Sequence, residues 1–306
     1  MKIISIGHMT YDTTFQTYSF PKENTKTRFH EKQECAGGPA TIAAILLAKW
    51  NQTVEMSGLL GNDEYGRKIK KELTLNRVGT KYINLKEDFK TSHSLILANP
   101  ANGTRTIYTY ADNKNHLEPF IPEENPDIIL IDGYEYEASE KILKQFPKAI
   151  SVIDASYDKK EIVDLAKMVN YLICSKEFAE KITGIKLDYE NKETILDAFT
   201  KMENIFKNNV IITLEENGSI YRNGDVKIMP GVKVKTVDST GAGDIFHGAF
   251  VYGLAKNFDL EKTLKYATIA GALSVTRVGS YNSIPSLEEM NEVYEQIKWY
   301  SISKYL

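Results

Sequence analysis

The sequence predicts one three-layer α/β/α domain with a mostly parallel central sheet and a small β-sheet lid. Short apolar runs alternate with helical stretches along most of the chain. Runs of continuous apolarity are typical of strands buried on both faces, as in a parallel sheet covered by helices. Two polar segments, residues 13–34 and 91–110, interrupt this alternation. We therefore expect a single domain over residues 1–306, with a lid built from those two segments.

Composition and charge restrict the classes of protein to which the chain can belong. Of its 306 residues, 42% are apolar and 26% are charged, which excludes general disorder and a fibrous protein. The formal net charge of −3 gives no support to a nucleic-acid partner or a membrane surface, both of which favour a basic excess. The longest uncharged apolar stretch, residues 35–48, is shorter than the roughly 20 residues that span a bilayer. Two cysteines are too few for a disulfide framework and are typical of a reduced, cytoplasmic setting.

The elements of the central domain follow from the apolar pattern. Predicted strands lie at residues 2–7, 53–60, 127–132, 149–154, 171–174 and 210–214. Predicted helices lie at residues 65–75, 138–147, 161–169, 175–183, 194–206, 260–275 and 286–300. This alternation implies right-handed crossovers and helices on both faces of the sheet.

The two interrupting segments differ from the rest of the chain in their local pattern. Residues 91–110 predict two β runs around the turn sequence Asn-Pro-Ala-Asn-Gly at residues 99–103. Residues 13–34 are rich in threonine and aromatic residues and lack the apolar stripe of a helix. Two interpretations remain open: a pair of surface hairpins, or a small sheet that covers a cleft as a lid.

The most informative motif is VDSTGAGDIFHGAF at residues 237–250. It follows a β-like run at residues 232–237, and it opens an apolar helix that continues to Ala255. Small residues stand where the strand would turn into the helix, at Gly241, Ala242 and Gly243. Free backbone N–H groups at a helix N-terminus bind anions, and small residues let a phosphate approach closely. The motif therefore predicts a phosphate site.

Asp244 lies in the first turn of that helix, beside the predicted phosphate. Two negative groups held together make chemical sense if a substrate hydroxyl lies between them. The carboxylate would accept the hydroxyl proton while the oxygen attacks a terminal phosphoryl group. The alternative is that Asp244 only caps the helix. A dinucleotide fingerprint is excluded because Phe246 stands where its third glycine is required, and residues 61–68 carry Arg67 where a P-loop needs lysine.

Residues 237–250 resemble the C-terminal signature of the ribokinase-like (phosphofructokinase-B-type) carbohydrate kinase family, D-[TS]-[TS]-G-A-G-D-x-F. Further motifs similar to the family's occur in the family's order, namely GHMTYD at 7–12, AGGPATIAA at 36–44, LGNDEYG at 60–66, TLEENG at 213–218 and AGALSVTRVGSYNSIP at 270–285. The resemblance spans essentially the whole chain. It implies a ribokinase-like fold with a β lid, and transfer of the γ-phosphate of ATP to a sugar-type hydroxyl.

The resemblance implies a role for each matching position. Asp244 would be the catalytic base. The anion hole that stabilises the transferring phosphoryl group would consist of Gly241, Ala242 and Gly243. The implied substrate-binding residues are Asp12, Gly37, Gly38, Asp132 and the lid residue Arg105. The implied nucleotide-binding residues are Ser175, Thr213, Gly218, Thr240, Gly243 and Thr268.

The same resemblance implies metal ions. Mg²⁺ would arrive with ATP, bound largely by phosphates and water, and Glu177 is the candidate protein residue for it. A monovalent cation such as K⁺ would lie near Asp238, Thr240, Gly279 and Ser283. Two alternatives stay open, because Asp238 would also serve to stiffen the turn, and Glu177 would also fit an exposed helical position.

Four changes separate the sequence from the family's pattern. Ile42 stands where asparagine is usual, so we expect a polar contact to the substrate to be missing. Phe178 stands where a metal-site glutamate is usual, and Glu177 lies one residue early. Glu215 replaces the first glycine of the nucleotide loop, where a carboxylate would repel ATP unless it points outward, and Thr268 replaces an asparagine. These changes leave the phosphoryl-transfer motif intact.

The resemblance therefore implies a cytoplasmic, ATP-dependent sugar kinase. A small ketohexose such as fructose is the favoured acceptor, because GTRTI at residues 103–107 and SKEF at residues 175–178 resemble ketohexokinase-like members of the family. A nucleoside kinase of the same fold is one alternative, since Ile42 and the lid residues Phe15, Phe20 and Phe29 could form an apolar base pocket. A non-catalytic sugar- or nucleotide-binding regulator is the alternative from another class. Pairing of exposed lid edges would give a homodimer. No nucleic-acid or membrane partner is expected.

Overall fold

The computed structural model describes residues 1–112 and 114–297. The strands in these ranges are β1 (Lys2–Ile6), β2 (Thr10–Gln16), β3 (Lys32–Gly37), β4 (Thr53–Gly61), β5 (Gly79–Lys86), β6 (Ser92–Asn99), β7 (Thr104–Tyr110), β8 (Ile128–Ile131), β9 (Ile150–Ala155), β10 (Tyr171–Ser175), β11 (Asn209–Thr213), β12 (Ser219–Asn223) and β13 (Asp225–Met229). The helices are α1 (Pro39–Lys49), α2 (Glu64–Leu75), α3 (Tyr136–Gln145), α4 (Lys160–Ala166), α5 (Lys176–Thr183), α6 (Lys192–Phe206), α7 (Ala242–Ala255), α8 (Leu260–Ser274) and α9 (Leu287–Gln296). None of these helices has the length and apolarity that a membrane span requires.

The described strands form two separate sheets. The large sheet has the order β13-β12-β11-β10-β9-β8-β1-β4-β5. Its strands from β11 to β5 are parallel to their neighbours, whereas β12 and β13 at one end are antiparallel. The predicted fold class, an α/β/α domain with a mostly parallel sheet and a small second sheet, is confirmed.

Helices cover both faces of the large sheet. Apolar side chains of α1, α7 and α8 form the core on one face, and those of α3, α4, α5 and α6 form the core on the other. The residues of β8 alternate between the two cores, with Ile128 and Leu130 in the first and Ile129 and Ile131 in the second. Because successive side chains of a strand point to opposite faces, a strand buried on both faces has an uninterrupted apolar sequence.

The small sheet has the strand order β3-β2-β6-β7 and is built from the two segments predicted to form a lid. Strands β6 and β7 are antiparallel around the predicted turn, in which the N–H of Gly103 donates to the carbonyl of Asn99 at 2.8 Å. Strand β2 begins at Thr10, ahead of the predicted segment, and residues 17–31 carry no strand.

Asp63 ties the small sheet to the large domain. Its Oδ1 accepts a hydrogen bond from the N–H of Gly66 at 2.8 Å and so caps the N-terminus of α2. Its Oδ2 accepts a hydrogen bond from the N–H of Thr91 at 2.9 Å, immediately before β6 begins. One side chain therefore fixes where β6 enters the small sheet.

Three expectations about the elements need correction. Residues 232–237 do not form a strand: the N–H of Val237 donates to the carbonyl of Val275, and residues 233–236 are exposed. Valines form a strand only where a neighbouring strand is available to pair with them, and here none of the described strands lies alongside. Strands β5, β12 and β13 were not anticipated. The helix predicted over 286–300 ends at Gln296, and residues 298–300 lie outside the described residues.

Candidate active site

A cavity of about 630 Å³ lies between the carboxyl ends of the parallel strands and the small sheet. Asp132 follows β8, Ser175 ends β10 and Thr213 ends β11, and all three line the cavity. The small sheet contributes Asp12 from β2 and Ser94 from β6. The volume is in the range of small-molecule sites, about 300–1,000 Å³, and the carboxyl edge is where open α/β sheets bind ligands.

The N-terminus of α7 opens into this cavity. Gly241 has a left-handed φ of 78°, and a Cβ there would lie 2.6 Å from the Cβ of Ser280, so only glycine fits this turn. Gly243 faces open space and lines the cavity, as Thr240 and Gly241 do. Ala242 is not part of the lining. Because the first N–H groups of a helix have no partners within it, this turn can bind an anion as the sequence predicts.

Asp244 lines the cavity in the first turn of α7. No side chain caps α7 within the described part of the chain, so Asp244 does not serve as the helix cap that the sequence left open. The pKa of Asp244 is raised to about 7, chiefly by burial and next by the charge of Asp154, against the lowering effects of His247 and Arg105. A carboxylate that titrates near neutral pH suits a general base.

Asp12 points into the cavity from β2 with an unused hydrogen-bond acceptor. The side chain is 7% exposed, and its buried Oδ1 has no partner in the described structure. Burial raises the pKa of Asp12 to about 6. Gly37 lies against this carboxylate, since a Cβ there would lie 2.0 Å from Oδ2 of Asp12. Gly37 itself does not line the cavity, and its lack of a side chain leaves room for the carboxylate of Asp12.

Asp132 accepts three backbone hydrogen bonds at the edge of the cavity. Its Oδ2 accepts from the N–H groups of His8 at 2.8 Å and Ala40 at 3.4 Å, and its Oδ1 accepts from Tyr134 at 3.1 Å. Burial nevertheless raises the pKa of Asp132 to about 8. Gly38 lines the cavity beside it with φ 102°, where a Cβ would lie 2.2 Å from the carbonyl oxygen of His8.

Arg105 brings the small sheet against the α7 motif. Its Nη1 donates to Oγ of Ser239 at 2.6 Å, and that hydroxyl donates to the carbonyl of Gly103 at 3.0 Å. Arg105 also lines the cavity, and its positive charge lowers the pKa of Asp244. The structure therefore places this cation in the cavity, beside the turn that is predicted to bind phosphate.

The residues predicted to contact the nucleotide divide into two groups. Ser175, Thr213 and Thr240 line the cavity, whereas Gly218 and Thr268 do not. Gly218 lies in a tight turn where a Cβ would be 1.9 Å from the carbonyl of Met229. The Oγ1 of Thr268 is buried without a partner in the described structure. Glu215, which takes the place of a loop glycine, is exposed with a left-handed φ of 53° and lies outside the lining.

The residues predicted to bind metal ions lie outside the cavity except for Thr240. Glu177 is exposed in the first turn of α5. Both oxygens of Asp238 are used by the chain: Oδ1 accepts from the N–H and the hydroxyl of Thr240, and Oδ2 accepts from the N–H of Gly279. The hydroxyl of Ser283 donates to the carbonyl of Ser280. These contacts favour the turn-stiffening role of Asp238.

Among the polar residues of the cavity that were not selected from the sequence, two form a pair. Asp154 lies one residue before the end of β9 and His247 lies one turn after Asp244 on α7, and both line the cavity. Asp154 follows an apolar run in the same way as Asp132, so the signal that identified one should have identified the other. No sequence pattern predicts that His247 contacts Asp154, because the pair forms only when α7 packs beneath the sheet edge.

Sequence and structure comparisons place the chain among known proteins. The profile of the family described as "pfkB family carbohydrate kinase" matches residues 1–287. The chain is 24% identical over 310 residues to ribokinase of Lactococcus lactis subsp. lactis (strain IL1403), with 97% of this chain and 98% of that protein covered. It is 23% identical over 303 residues to nucleoside kinase of Methanocaldococcus jannaschii, with 96% and 97% covered.

Solved structures show the same fold. Arabidopsis thaliana ribokinase complexed with ribose and ATP matches with a TM-score of 0.81 at 21% identity, covering 96% of this chain and 98% of that one. Ribokinase from Thermotoga maritima matches with a TM-score of 0.78 at 23% identity, covering 96% and 99%. At these identities the structural likeness supports the fold, and the family profile carries the classification.

Proposed function

Because the chain belongs to the pfkB family of carbohydrate kinases, we propose that it transfers the γ-phosphate of ATP to a hydroxyl of a small, uncharged sugar. Membership makes it a phosphotransferase with an alcohol acceptor, of the sugar and nucleoside kinase group. The observation that carries the proposal is the position of Asp244, which lines the cavity in the same turn as the open N-terminus of α7.

In the proposed reaction, the carboxylate of Asp244 acts on the acceptor hydroxyl, and the N–H groups of the same turn act on the phosphoryl group. The acceptor hydroxyl donates a hydrogen bond to the carboxylate of Asp244, and its oxygen attacks the γ-phosphorus. The proton passes to Asp244, the bond to the β–γ bridging oxygen breaks, and ADP leaves with that oxygen. The N–H groups at the start of α7 and the Arg105 guanidinium stabilise negative charge on the phosphoryl group in transit.

The charge of the cavity supports a neutral acceptor. Asp12, Asp132, Asp154 and Asp244 all line it, and the pKa values of Asp12, Asp132 and Asp244 are raised, chiefly by burial. A site that already opposes ionisation of its own carboxyl groups disfavours a carboxylate or phosphate group on the acceptor, which would lie among those carboxyl groups rather than at the N–H groups of α7. Sugar hydroxyls, in contrast, donate hydrogen bonds that the free Oδ1 of Asp12 can accept.

The identity of the sugar is a separate question from its charge. The sequence favours a ketohexose such as fructose, whereas several relatives carry the names ribokinase and deoxyribokinase. Ribose and fructose are therefore the first two acceptors to test.

A nucleoside is the second candidate acceptor. The residues from which the sequence suggested a nucleoside do not line the cavity. Ile42 is fully buried, and Phe15 packs on Phe29. Other apolar residues do line it, however, from β4, β6, β7 and the loop before β6: Leu59, Phe89, Ile96 and Ile107. These would pack against a nucleobase, and one relative is named a nucleoside kinase.

The proposed cofactors and assembly follow from the site and the small sheet. Within the described chain, no group of three or more His, Cys, Asp or Glu side chains could hold a metal ion, and Glu177 is exposed outside the cavity. The residues therefore do not fit a protein-built Mg²⁺ site, and we propose that Mg²⁺ comes bound to ATP phosphates. A K⁺ ion near Asp238 would need backbone carbonyls as ligands, because the carboxylate of Asp238 already accepts hydrogen bonds from Thr240 and Gly279.

We also propose that the protein forms a homodimer through the small sheet. Light scattering tests this by giving the mass of the protein in solution.

An ADP-release assay tests the proposal. The protein is incubated with ATP, Mg²⁺ and one acceptor at a time: ribose, fructose, other pentoses and hexoses, nucleosides, and fructose 6-phosphate as an anionic control. We expect ADP release with a neutral sugar and none above background with the sugar phosphate. Release with nucleosides alone would support the second candidate. Binding of acceptors without any ADP release would contradict the kinase proposal and favour a regulator.

A further inference from the structure

A buried histidine–carboxylate pair lies directly behind the predicted base. His247 and Asp154 are 4% and 6% exposed. The Nδ1 atom of His247 lies 2.7 Å from the carbonyl oxygen of Gly243 and 3.3 Å from Oδ2 of Asp154, and Nε2 lies 3.4 Å from the carbonyl oxygen of Ile173. The other oxygen of Asp154 accepts a hydrogen bond from the hydroxyl of Ser156 at 3.0 Å.

The three contacts of the His247 ring indicate that both of its nitrogens carry a hydrogen. Gly243 O, Asp154 Oδ2 and Ile173 O are all hydrogen-bond acceptors. A neutral imidazole has one N–H and one lone pair, so in its neutral form one ring nitrogen would direct a lone pair at an acceptor. Both nitrogens are satisfied only when the ring carries two hydrogens, and the carboxylate of Asp154 then balances its positive charge.

The pair acts on the reacting end of α7 in two ways. Through Nδ1, His247 holds the carbonyl of Gly243, which belongs to the turn whose N–H groups face the cavity. Through its charge, it lowers the pKa of Asp244, whereas Asp154 raises it. His247 lies three positions after Asp244, so the two side chains lie on neighbouring turns of one helix face.

The other charged groups around this pair come from each adjoining element. Asp244 is also affected by Arg105 of β7 and Asp12 of β2. Asp154 of β9 raises the pKa of Asp132, next to β8, and of Cys174 on β10. Where α1 and α8 pack against α7, the contacts near this pair are apolar or made by backbone, with Ala43 and Leu46 against Gly248 and with Gly271 near the carbonyl of Ala242. Among these neighbours in the described structure, His247 and Arg105 are the two groups that lower the pKa of Asp244.

We propose that His247 is a positioning residue for phosphoryl transfer: Asp154 holds its ring as a cation, and this cation fixes the first turn of α7 and keeps the carboxylate of Asp244 ready to accept a proton. The inference rests on the proposed kinase function, in which Asp244 is the base. It explains why a charged pair is buried where apolar packing would cost less free energy.

Two amide variants separate the charge of the pair from its packing. In His247→Asn the side-chain amide can still donate to the carbonyl of Gly243, but the cation is lost and Asp154 remains. We expect the acid limb of the pH profile of kcat/KM to move up by about one unit, the scale of shift that a nearby charge produces. The double variant His247→Asn/Asp154→Asn removes both charges and should return the limb towards its wild-type position.

A control variant and the opposite outcomes make the test decisive. His93→Asn makes the same chemical change on the small sheet, where His93 packs on Tyr65 and Tyr110 outside the cavity lining, and should leave the profile unchanged. If His247→Asn lowers kcat without moving the acid limb, or if the double variant keeps the full shift, then the role of His247 is structural and the proposal is overturned.

A measurement on the wild-type protein tests the inference without any variant. Nitrogen NMR of the protein labelled with ¹⁵N-histidine reports whether both nitrogens of a ring carry hydrogen, and His247→Gln identifies the signal. We expect a doubly protonated His247 at pH 7, and a neutral tautomer there would overturn the proposal. This readout needs no substrate, so a failure of the kinase proposal in the ADP-release assay is distinguishable from a failure of this one.

Discussion

Replacing Asp244 by asparagine removes the proton acceptor while the shape of the side chain is retained. Burial raises the pKa of Asp244 to about 7, so at pH 6 about a tenth of the molecules carry it ionised and at pH 8 about nine tenths do. The wild-type kcat/KM should therefore rise with pH through neutrality. General base catalysis typically contributes about 10²- to 10⁴-fold, so Asp244→Asn should lower kcat by that factor and abolish the rise.

The assay is ADP release with the best acceptor, measured from pH 5 to pH 9, together with ATP affinity by titration calorimetry. ATP affinity should change little, because Thr240, Gly241 and Gly243, the cavity residues proposed to contact the phosphates, are unaltered. Asp164→Asn is the matched control, since it makes the same change in an exposed ion pair with Lys160 on α4. An Asp244→Asn enzyme with a kcat within tenfold of wild type and an unchanged pH profile would refute the reasoning.

Three other predictions test separate features of the site. The pKa of Asp244 is higher in the folded protein than its ordinary value, so ionisation of Asp244 destabilises the fold progressively as pH rises from about 4 to 7. Asp244→Asn removes this ionisation, so its free energy of unfolding should exceed that of the wild type by an amount on the order of 1 kcal/mol or more at pH 8, and by little at pH 4. Urea denaturation at the two pH values measures the difference. Gly37→Ala places a Cβ 2.0 Å from Oδ2 of Asp12 and so displaces this carboxylate. The KM for the sugar should then rise about 10- to 100-fold, with ATP affinity unchanged. An unchanged KM for the sugar would show that Asp12 does not bind the substrate. Glu177→Gln should leave the Mg²⁺ concentration for half-maximal activity unaltered, because Glu177 is exposed outside the cavity, and a several-fold increase would restore it as a metal-site residue.

The features that the sequence predicted well are those set by local pattern. The apolar runs of β8, β9 and β10 identify buried parallel strands, because burial on both faces leaves no polar positions. The position of Asp244 after three small residues identifies the start of α7, because helix start signals lie within a few residues of one another. Asp132 follows from its place after a strand, since the carboxyl edge of a parallel sheet is where ligands bind.

The features that escaped prediction depend on contacts between distant segments. The segment 232–237 has the composition of a strand but no neighbouring strand in the described structure, and its residues 233–236 are exposed. Asp238 was compatible with either a cation site or a turn, and only the approach of Gly279, 41 residues away, shows how its carboxylate is used. The pairing of His247 with Asp154 likewise requires α7 to be packed beside β9.

The central claim is that Asp244 faces the acceptor hydroxyl across the N-terminus of α7. A crystal structure with the acceptor sugar and a non-hydrolysable ATP analogue tests it most directly. The account predicts a sugar hydroxyl within about 3.2 Å of a carboxylate oxygen of Asp244, with the terminal phosphate against the N–H groups of Gly241 to Gly243. A sugar bound in the cavity with its hydroxyls directed away from Asp244, or a phosphate held elsewhere, would contradict it.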